Sequence, residues 1–468
     1  MVAVKKKIYP KSWQGVEVAV LGYGVNNRAL VEWLVKHQAK VTVCDSNPVA
    51  ADSALPEVKK AAQWQLGEAA FSDLSPYAYL FRTPGIRPDH PAIVSAVASG
   101  QTILTSQTEL FAAIAPGMLI GITGTKGKGT TASLLYNMLD RGKEAIGARK
   151  IWLSGNIGND PFTFVDELKS DDIVILELSS FQLFGSTIHP HVAVMLSITP
   201  DHLDYHTSWH EYFAAKSSLI RLLEPSDIAV LHDGAQYDAL RSQTVAQVYA
   251  YSRERRVDRG TYVAPYTNER GVTQLAVYMA GESTPLLTAG DISLVGMHNL
   301  ENAAAAAVVA YVLGVGRHEI VMGAGAFSGL PHRLQKISAN HGVIGVDDSI
   351  ATTPESGIAA IEAMLPAPIH LLAGGVSKGA DYRAWAAVAD AQCSSITLFG
   401  RNAAELARGF VRRQPVIVDT LSEAVGQVMR QARAGDVVLL SPVSASFDQY
   451  PNYAARGDEF KSLMNAHG

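Results

Sequence analysis

Residues 121–131 read Gly-Ile-Thr-Gly-Thr-Lys-Gly-Lys-Gly-Thr-Thr, behind an apolar run of Met118, Leu119 and Ile120 and ahead of a helical pattern over 132–139. Strand, glycine-rich loop and helix in that order make a phosphate cradle. The glycines let backbone amides turn inward around anionic oxygens, Lys128 supplies a point charge, and the helix aims its positive end at the phosphates. Gly124, Thr125, Lys126, Gly127, Lys128 and Gly129 are the candidate loop contacts, with the hydroxyl of Thr130 or Thr131 placed near magnesium. The expected ligand is a nucleoside triphosphate with Mg2+. The spacing departs from Gly-x-x-x-x-Gly-Lys-Ser/Thr at both ends, because position 122 is Ile122 and the residue after the lysine is Gly129. A carboxylate, Glu177, closes a second apolar run over 172–177. At a strand end it suits a hard cation or, alternatively, caps a following helix.

Elements that position such groups must be buried, and the composition allows it. A chain of 468 residues suggests about three domains of roughly 150 residues, and 48% hydrophobic residues suffice for a core in each. The net charge of −5 with interspersed signs leaves no basic face for nucleic acid and no polybasic membrane patch. The expected substrates are small molecules. Cys44 and Cys393 lie far apart, so neither a disulfide framework nor a zinc cluster is readable, and a reducing, cytoplasmic location fits. No export signal or spanning apolar run is visible, so no membrane insertion is expected.

Residues 16–28 read as a strand, a tight glycine turn and the start of a helix; a second strand over 40–44 ends at Asp45. This is the first half of a Rossmann-like unit, in which Asp45 suits a nucleotide ribose or a helix N-cap. A third strand over 77–81 leads into Arg82-Thr83-Pro84-Gly85-Ile86-Arg87, a loop on the carboxyl edge where open α/β sheets bind ligands. Apolar runs over 172–177 and 191–198 mark strands covered on both faces. Residues 253–285 alternate weakly and predict a peripheral sheet, 303–310 a helix of small residues, and 329–333 a linker. Strands over 369–373, 395–399, 415–418 and 436–440 then predict a second Rossmann-like domain. The expected fold is α/β in three domains: Rossmann-like at 1–110, a central P-loop ATPase domain with a parallel sheet at 111–328, and Rossmann-like again at 329–468.

Seven motifs occur in a telling order: the loop at 121–128, Glu-Leu-Ser-Ser-Phe-Gln-Leu at 177–183, Thr-Pro-Asp-His-Leu-Asp at 199–204, His-Asn-Leu-Glu-Asn at 298–302, Pro-His-Arg at 331–333, Gly-Gly-Val-Ser-Lys-Gly at 374–379 and Ser-Pro-Val-Ser-Ala-Ser-Phe-Asp at 441–448. Along its whole length the chain resembles the MurD-type branch of the Mur ligases. The loop and the His-Asn box are shared with folylpolyglutamate synthetases, whose activity on folates is a weaker alternative. The resemblance implies ATP-dependent addition of glutamate to UDP-N-acetylmuramoyl-L-alanine in peptidoglycan synthesis, through an acyl phosphate. A nucleotide-binding regulator without catalysis has Gly129 as its support, against the retained Lys128, Glu177, His202 and Lys216.

By that resemblance Lys128 contacts the transferring phosphate, and Glu177, His202 and Thr130 hold magnesium together with Lys216, carried as a CO₂-derived carbamate. Carbamylation needs a neutral amine, so the site must depress the lysine pKa. Apart from the resemblance, Lys216 reads as a solvated helix residue and His202 as a surface histidine. Asn299 and Asn302 match the adenine and ribose region, and Arg333 and Asp348 further ATP contacts. Gly24, Val25, Asn26, Asp45, Ser46, Thr83 and Gly85 surround the nucleotide sugar, and Asn156 reaches its muramoyl part, although Ser154-Gly155 reads equally as a plain turn. Thr352, Lys378, Ser446 and Tyr453 match glutamate contacts. The segment 347–355 departs from the Asp-Ser-Lys-Ala-Thr-Asn of ordinary D-glutamate enzymes, with Ile350 for the lysine and Thr353-Pro354 at the asparagine. Losing one cation changes how a dicarboxylate is anchored. The pattern is similar to the variant branch that adds L-glutamate and relies on a separate epimerase; ordinary D-glutamate addition is the alternative. A monomer is expected.

Overall fold

Apolar runs without polar alternation have to be covered on both faces, and the chain meets that demand with three sheets that are parallel over most of their width. The structure, a computed structural model, describes residues 7–294, 296–338, 342–377 and 379–466, apart from the side chains of Val25 and Ser338. Lys378 therefore lies outside the described residues.

The first sheet contains β1 (Glu17–Leu21), β2 (Lys40–Asp45), β3 (Gln63–Leu66), β4 (Tyr79–Arg82) and β5 (Ile103–Thr105) in the order β3-β2-β1-β4-β5, every pair parallel. The order reverses between β1 and β4, which opens a crevice beyond their carboxyl ends. The second sheet contains β6 (Met118–Thr123), β7 (Ile151–Gly155), β8 (Ile173–Glu177), β9 (Val192–Met195), β10 (Ile228–His232), β11 (Gln247–Ser252), β12 (Gly260–Thr267), β13 (Thr273–Met279) and β14 (Leu287–Thr288), ordered β14-β13-β12-β11-β10-β9-β6-β8-β7. It is parallel from β7 to β12 and antiparallel at the β13 and β14 edge. The weakly alternating stretch is thus no separate peripheral sheet. It extends the central one, because the small-residue helix Met297–Val312 needs a surface to pack on, and Thr261 on β12 donates its hydroxyl to the Ala304 carbonyl at 2.9 Å.

The third sheet contains β15 (Gln335–Ser338), β16 (Ile344–Asp347), β17 (Ile369–Gly374), β18 (Ser395–Phe399), β19 (Val416–Ile417) and β20 (Val437–Leu440) in the order β15-β16-β20-β17-β18-β19. All pairs are parallel except β15 with β16. The first two sheets belong to one compact unit and the third to another, with the change of unit after Phe327. Among the described residues no helix is long and apolar enough to cross a membrane.

Candidate active site

In the central sheet β6 lies between β9 and β8, so whatever follows these three strands meets at one carboxyl edge. The glycine-rich loop follows β6, Glu177 ends β8, and residues 196–202 follow β9. Gly127 caps the Lys128–Gly142 helix with φ +83, and a side chain there would run into the amide oxygen of Asn302. Glycine is required twice over, by backbone and by space. Lys128 Nζ donates to the Thr125 carbonyl at 3.0 Å and lies 3.9 Å from Glu177 Oε1. Thr125 in turn is fixed through its hydroxyl, which donates to the Thr199 carbonyl at 3.0 Å and lies 2.9 Å from the Tyr212 hydroxyl. Lys126 is exposed, whereas Gly129, Thr130 and Thr131 are buried in the first turn. The Thr131 hydroxyl donates to Asn302 Oδ1 at 3.4 Å, and Asn302 Nδ2 donates to Asn299 Oδ1 at 3.3 Å.

Lys216 sits on the Trp209–Arg221 helix and is 2% exposed, not solvated as its surroundings in sequence suggest. Its amine donates to the Gly124 carbonyl at 2.8 Å. Burial, reinforced by the Lys128 charge and opposed by Glu177 and Asp201, lowers its pKa from 10.5 to about 6. A neutral lysine amine is therefore held against the phosphate loop at neutral pH.

Neighbouring elements settle several alternatives. Ser179, not Glu177, caps the Ser180–Leu183 helix, and Gln182 completes the capping box. Glu177 is left at the loop edge, 4% exposed. His202 is exposed, in a left-handed conformation at φ +52, and packs edge-on against Phe181 at 4.9 Å. Its backbone carbonyl accepts from the amides of Tyr205 and His206. Among the described residues no group of three or more His, Cys, Asp or Glu side chains is placed to hold a metal ion. Asn156, exposed beyond β7, donates its backbone amide to the Glu177 carbonyl at 3.1 Å. Gly155 before it has φ +105.

The crevice of the first sheet gathers the other nucleotide candidates. Asp45 caps no helix; its carboxylate accepts from the amides of Tyr23 at 2.6 Å and Asn47 at 2.8 Å, which shapes the glycine turn. Gly22, with φ +91, faces Thr83 so closely that an added Cβ would lie 2.8 Å from its methyl. Gly24, Ser46 and Gly85 are exposed on this edge, with Asn26 and Thr83 half-buried. The side chain of Val25, expected at the nucleotide sugar, lies outside the described residues.

In the second unit Asp348 is 5% exposed, accepting from the Ser441 hydroxyl at 3.1 Å and the Leu334 amide at 3.2 Å. Burial raises its pKa to about 7 against those two bonds. Arg333 is exposed between His332 and Leu334, both at positive φ (61 and 45). Thr352 is half-buried, Ser446 is 3% exposed and Tyr453 is 41% exposed. Pro354 takes the first position of the Pro354–Met364 helix behind a Thr353 cap, an ordinary place for proline.

Residue types alone missed two buried arginines. Arg456, fully buried, donates to the carbonyls of Ser349, Gly374 and Ser444 and to the Ser349 hydroxyl, which donates to the Tyr453 carbonyl at 2.7 Å. Arg82 is the other, the one charged residue of the buried strand β4. That charge inside an apolar strand was a readable signal. Arg456, on a polar helix, offered none.

Family models match the chain in three consecutive parts: a MurD-like N-terminal domain at residues 16–105, the Mur ligase middle domain at 122–310 and the Mur ligase glutamate ligase domain at 332–443. A UDP-N-acetylmuramoylalanine--D-glutamate ligase of Acetivibrio thermocellus is 36% identical over 478 aligned residues, covering 99% of this chain and 98% of the relative. The chain belongs to the Mur ligase family. A second relative of the same name, from Clostridium kluyveri, is 33% identical over 96% of each chain. As a Mur ligase it is an ATP-dependent acid–amino-acid ligase of peptidoglycan precursor synthesis. Solved structures share the fold: a Thermotoga maritima MurF ligase in complex with ADP at TM-score 0.60 and 18% identity, covering 98% of this chain and 97% of that one, and a UDP-N-acetylmuramate-alanine ligase, MurC, from the same organism at 0.61 and 15%, covering 95% and 98%.

Proposed function

We propose that the protein joins glutamate to UDP-N-acetylmuramoyl-L-alanine in the cytoplasm, with residues 1–110 taking the nucleotide sugar, 111–328 the ATP and 329–468 the amino acid. The observation that carries the reading is the buried amine of Lys216 against the phosphate loop, beside Lys128 and Glu177. A carboxylate is a poor electrophile, so the alanyl carboxylate attacks the γ-phosphorus of ATP and ADP leaves. The glutamate amine then adds to the acyl phosphate, loses a proton and expels inorganic phosphate. Such transfer is largely positioning and charge neutralisation.

The loop amides from Gly124 to Gly129 and the Lys128 ammonium hold the phosphates, Asn299 and Asn302 take the nucleoside side, and Arg333 and Asp348 are further ATP contacts. Glu177, the Thr130 hydroxyl, His202 and a carbamate on Lys216 fit a hard cation by donor chemistry, and Thr131 is turned toward Asn302 instead. Magnesium there supplies neutralisation of phosphate charge. Gly24, Val25, Asn26, Asp45, Ser46, Thr83, Gly85 and Asn156 form the nucleotide-sugar set; Thr352, Lys378, Ser446 and Tyr453 form the glutamate set.

For the isomer we favour D-glutamate over the L-glutamate expected from the sequence. The relatives at 33% and 36% identity are named for D-glutamate, and Pro354 occupies a normal helix start and requires no rebuilt pocket. Ile350 in place of the lysine is the observation on the other side. Phosphate release with ATP, UDP-N-acetylmuramoyl-L-alanine and each pure glutamate isomer tests both levels. Turnover with D-glutamate alone is expected. Turnover with L-glutamate alone reverses the isomer assignment and calls for an epimerase acting on the product; no release with either rejects the activity.

A further inference from the structure

Arg82 carries a full charge in the buried strand β4, is 4% exposed, and forms no ion pair among the described residues. Its guanidinium donates to carbonyls drawn from two separate elements and also meets the Tyr205 hydroxyl. Nη1 donates to Ile86 at 2.9 Å and to Pro84 at 3.4 Å, inside the loop that follows its own strand. Nη2 donates to Phe181 at 3.1 Å and to Phe184, at the carboxyl end of the Ser180–Leu183 helix of the central part. A guanidinium presents donors in a fixed planar fork, which a lysine does not.

Two further residues, Tyr205 and Arg87, fasten the same loop. The Tyr205 hydroxyl donates to the Pro84 carbonyl at 3.0 Å. Arg87 donates to the Tyr205 carbonyl and to both carboxylate oxygens of Glu211 at 3.2 Å, and its guanidinium lies over the rings of Phe184 and Tyr205 at 5.0 and 5.4 Å. Phe181 packs on Tyr205 at 4.4 Å and on His202 at 4.9 Å. The loop between Arg82 and Arg87 is therefore anchored at both ends and in the middle to segments that follow Glu177 and contain His202.

We propose that Arg82, with Tyr205 and Arg87, forms a latch that presets the Thr83–Gly85 loop for the nucleotide sugar and registers it against the phosphate-transfer site. Arg82 is a positioning residue: it acts through the loop backbone and touches no reacting atom. The proposal rests on the nucleotide-sugar reading of Thr83 and Gly85. A preset loop loses little freedom on binding, so releasing it weakens sugar affinity and spares ATP.

The test uses the full chain and the variants R82K and Y205F. Calorimetry without ATP gives the Kd for UDP-N-acetylmuramoyl-L-alanine, steady-state kinetics give KM for each substrate, and thermal unfolding checks folding. R82K is expected to raise the sugar Kd and KM on the order of tenfold while leaving the ATP KM within about twofold. Y205F, which removes the bond to the Pro84 carbonyl and the hydroxyl contact with Arg82, is expected to give the same pattern at about threefold to fivefold and keeps the test open if R82K does not fold. Unchanged sugar affinity in a folded R82K or in Y205F overturns the latch, as does an equal rise in every KM. Wild-type protein that binds the sugar but releases no phosphate with either glutamate isomer overturns the activity and not the latch. Wild-type protein that does not bind the sugar overturns both.

Discussion

Replacing Lys216 with methionine is expected to stabilise the protein while abolishing the ligase reaction. The amine is 2% exposed and its pKa is lowered from 10.5 to about 6, by burial first and the Lys128 charge second. At pH 7 about nine amines in ten are neutral in the folded chain, and nearly all are protonated in the unfolded chain. The unfolded state binds the extra proton throughout the window between about 6 and 10.5, so wild-type stability rises with pH across that window. Near pH 7 the lost protonation costs roughly 4 to 5 kcal/mol as an upper bound. Methionine removes that cost and forfeits the bond to the Gly124 carbonyl, worth about 1 to 3 kcal/mol when a buried acceptor is left alone. A net gain of at most roughly 1 to 4 kcal/mol in CO₂-free buffer at pH 7 follows, shrinking as the pH approaches 10. Bicarbonate should raise the stability of the wild type, whose neutral amine captures CO₂, and leave the variant unchanged. Urea unfolding at pH 7, 8 and 9, with and without bicarbonate, reads both effects, and carbon-13 bicarbonate gives a carbamate signal by NMR in the wild type alone. A variant that is less stable than the wild type at pH 7 in CO₂-free buffer, or that shows the same slope with pH, would refute the reasoning.

Three other substitutions probe the remaining supports. G127A places a methyl on a backbone at φ +83 and against Asn302; equilibrium dialysis with ATP should show affinity reduced at least about tenfold, from a strain on the order of 1 to 3 kcal/mol. R456A leaves three carbonyls without their buried donor and should destabilise the protein by roughly 3 to 5 kcal/mol in denaturant unfolding, whereas S349A, which breaks the link to Tyr453, should cost only about 1 to 2 kcal/mol.

The elements and the kind of chemistry were legible along the chain. Unbroken apolar runs such as 172–177 have no amphipathic alternative, so they become strands covered on both faces. A glycine-rich loop between a strand and a helix can present its amides only inward, so the phosphate cradle was legible from local order alone. Family membership, too, was carried by motif order. Tertiary structure decided which charges matter and how. Lys216 and its neighbours on the Trp209–Arg221 helix look alike in sequence, and its depressed pKa exists only because a distant loop carbonyl and the Lys128 charge close around it. The alternating segment after residue 253 carried too weak a period to show which sheet it joins; the bond that ties it to the alanine helix, from Thr261 to Ala304, spans 43 positions. Arg82 and Arg456 acquire their roles from carbonyls as many as 102 and 107 positions away. Burial and electrostatics are sums over neighbours in space, and sequence spacing carries only those neighbours that are also close along the chain.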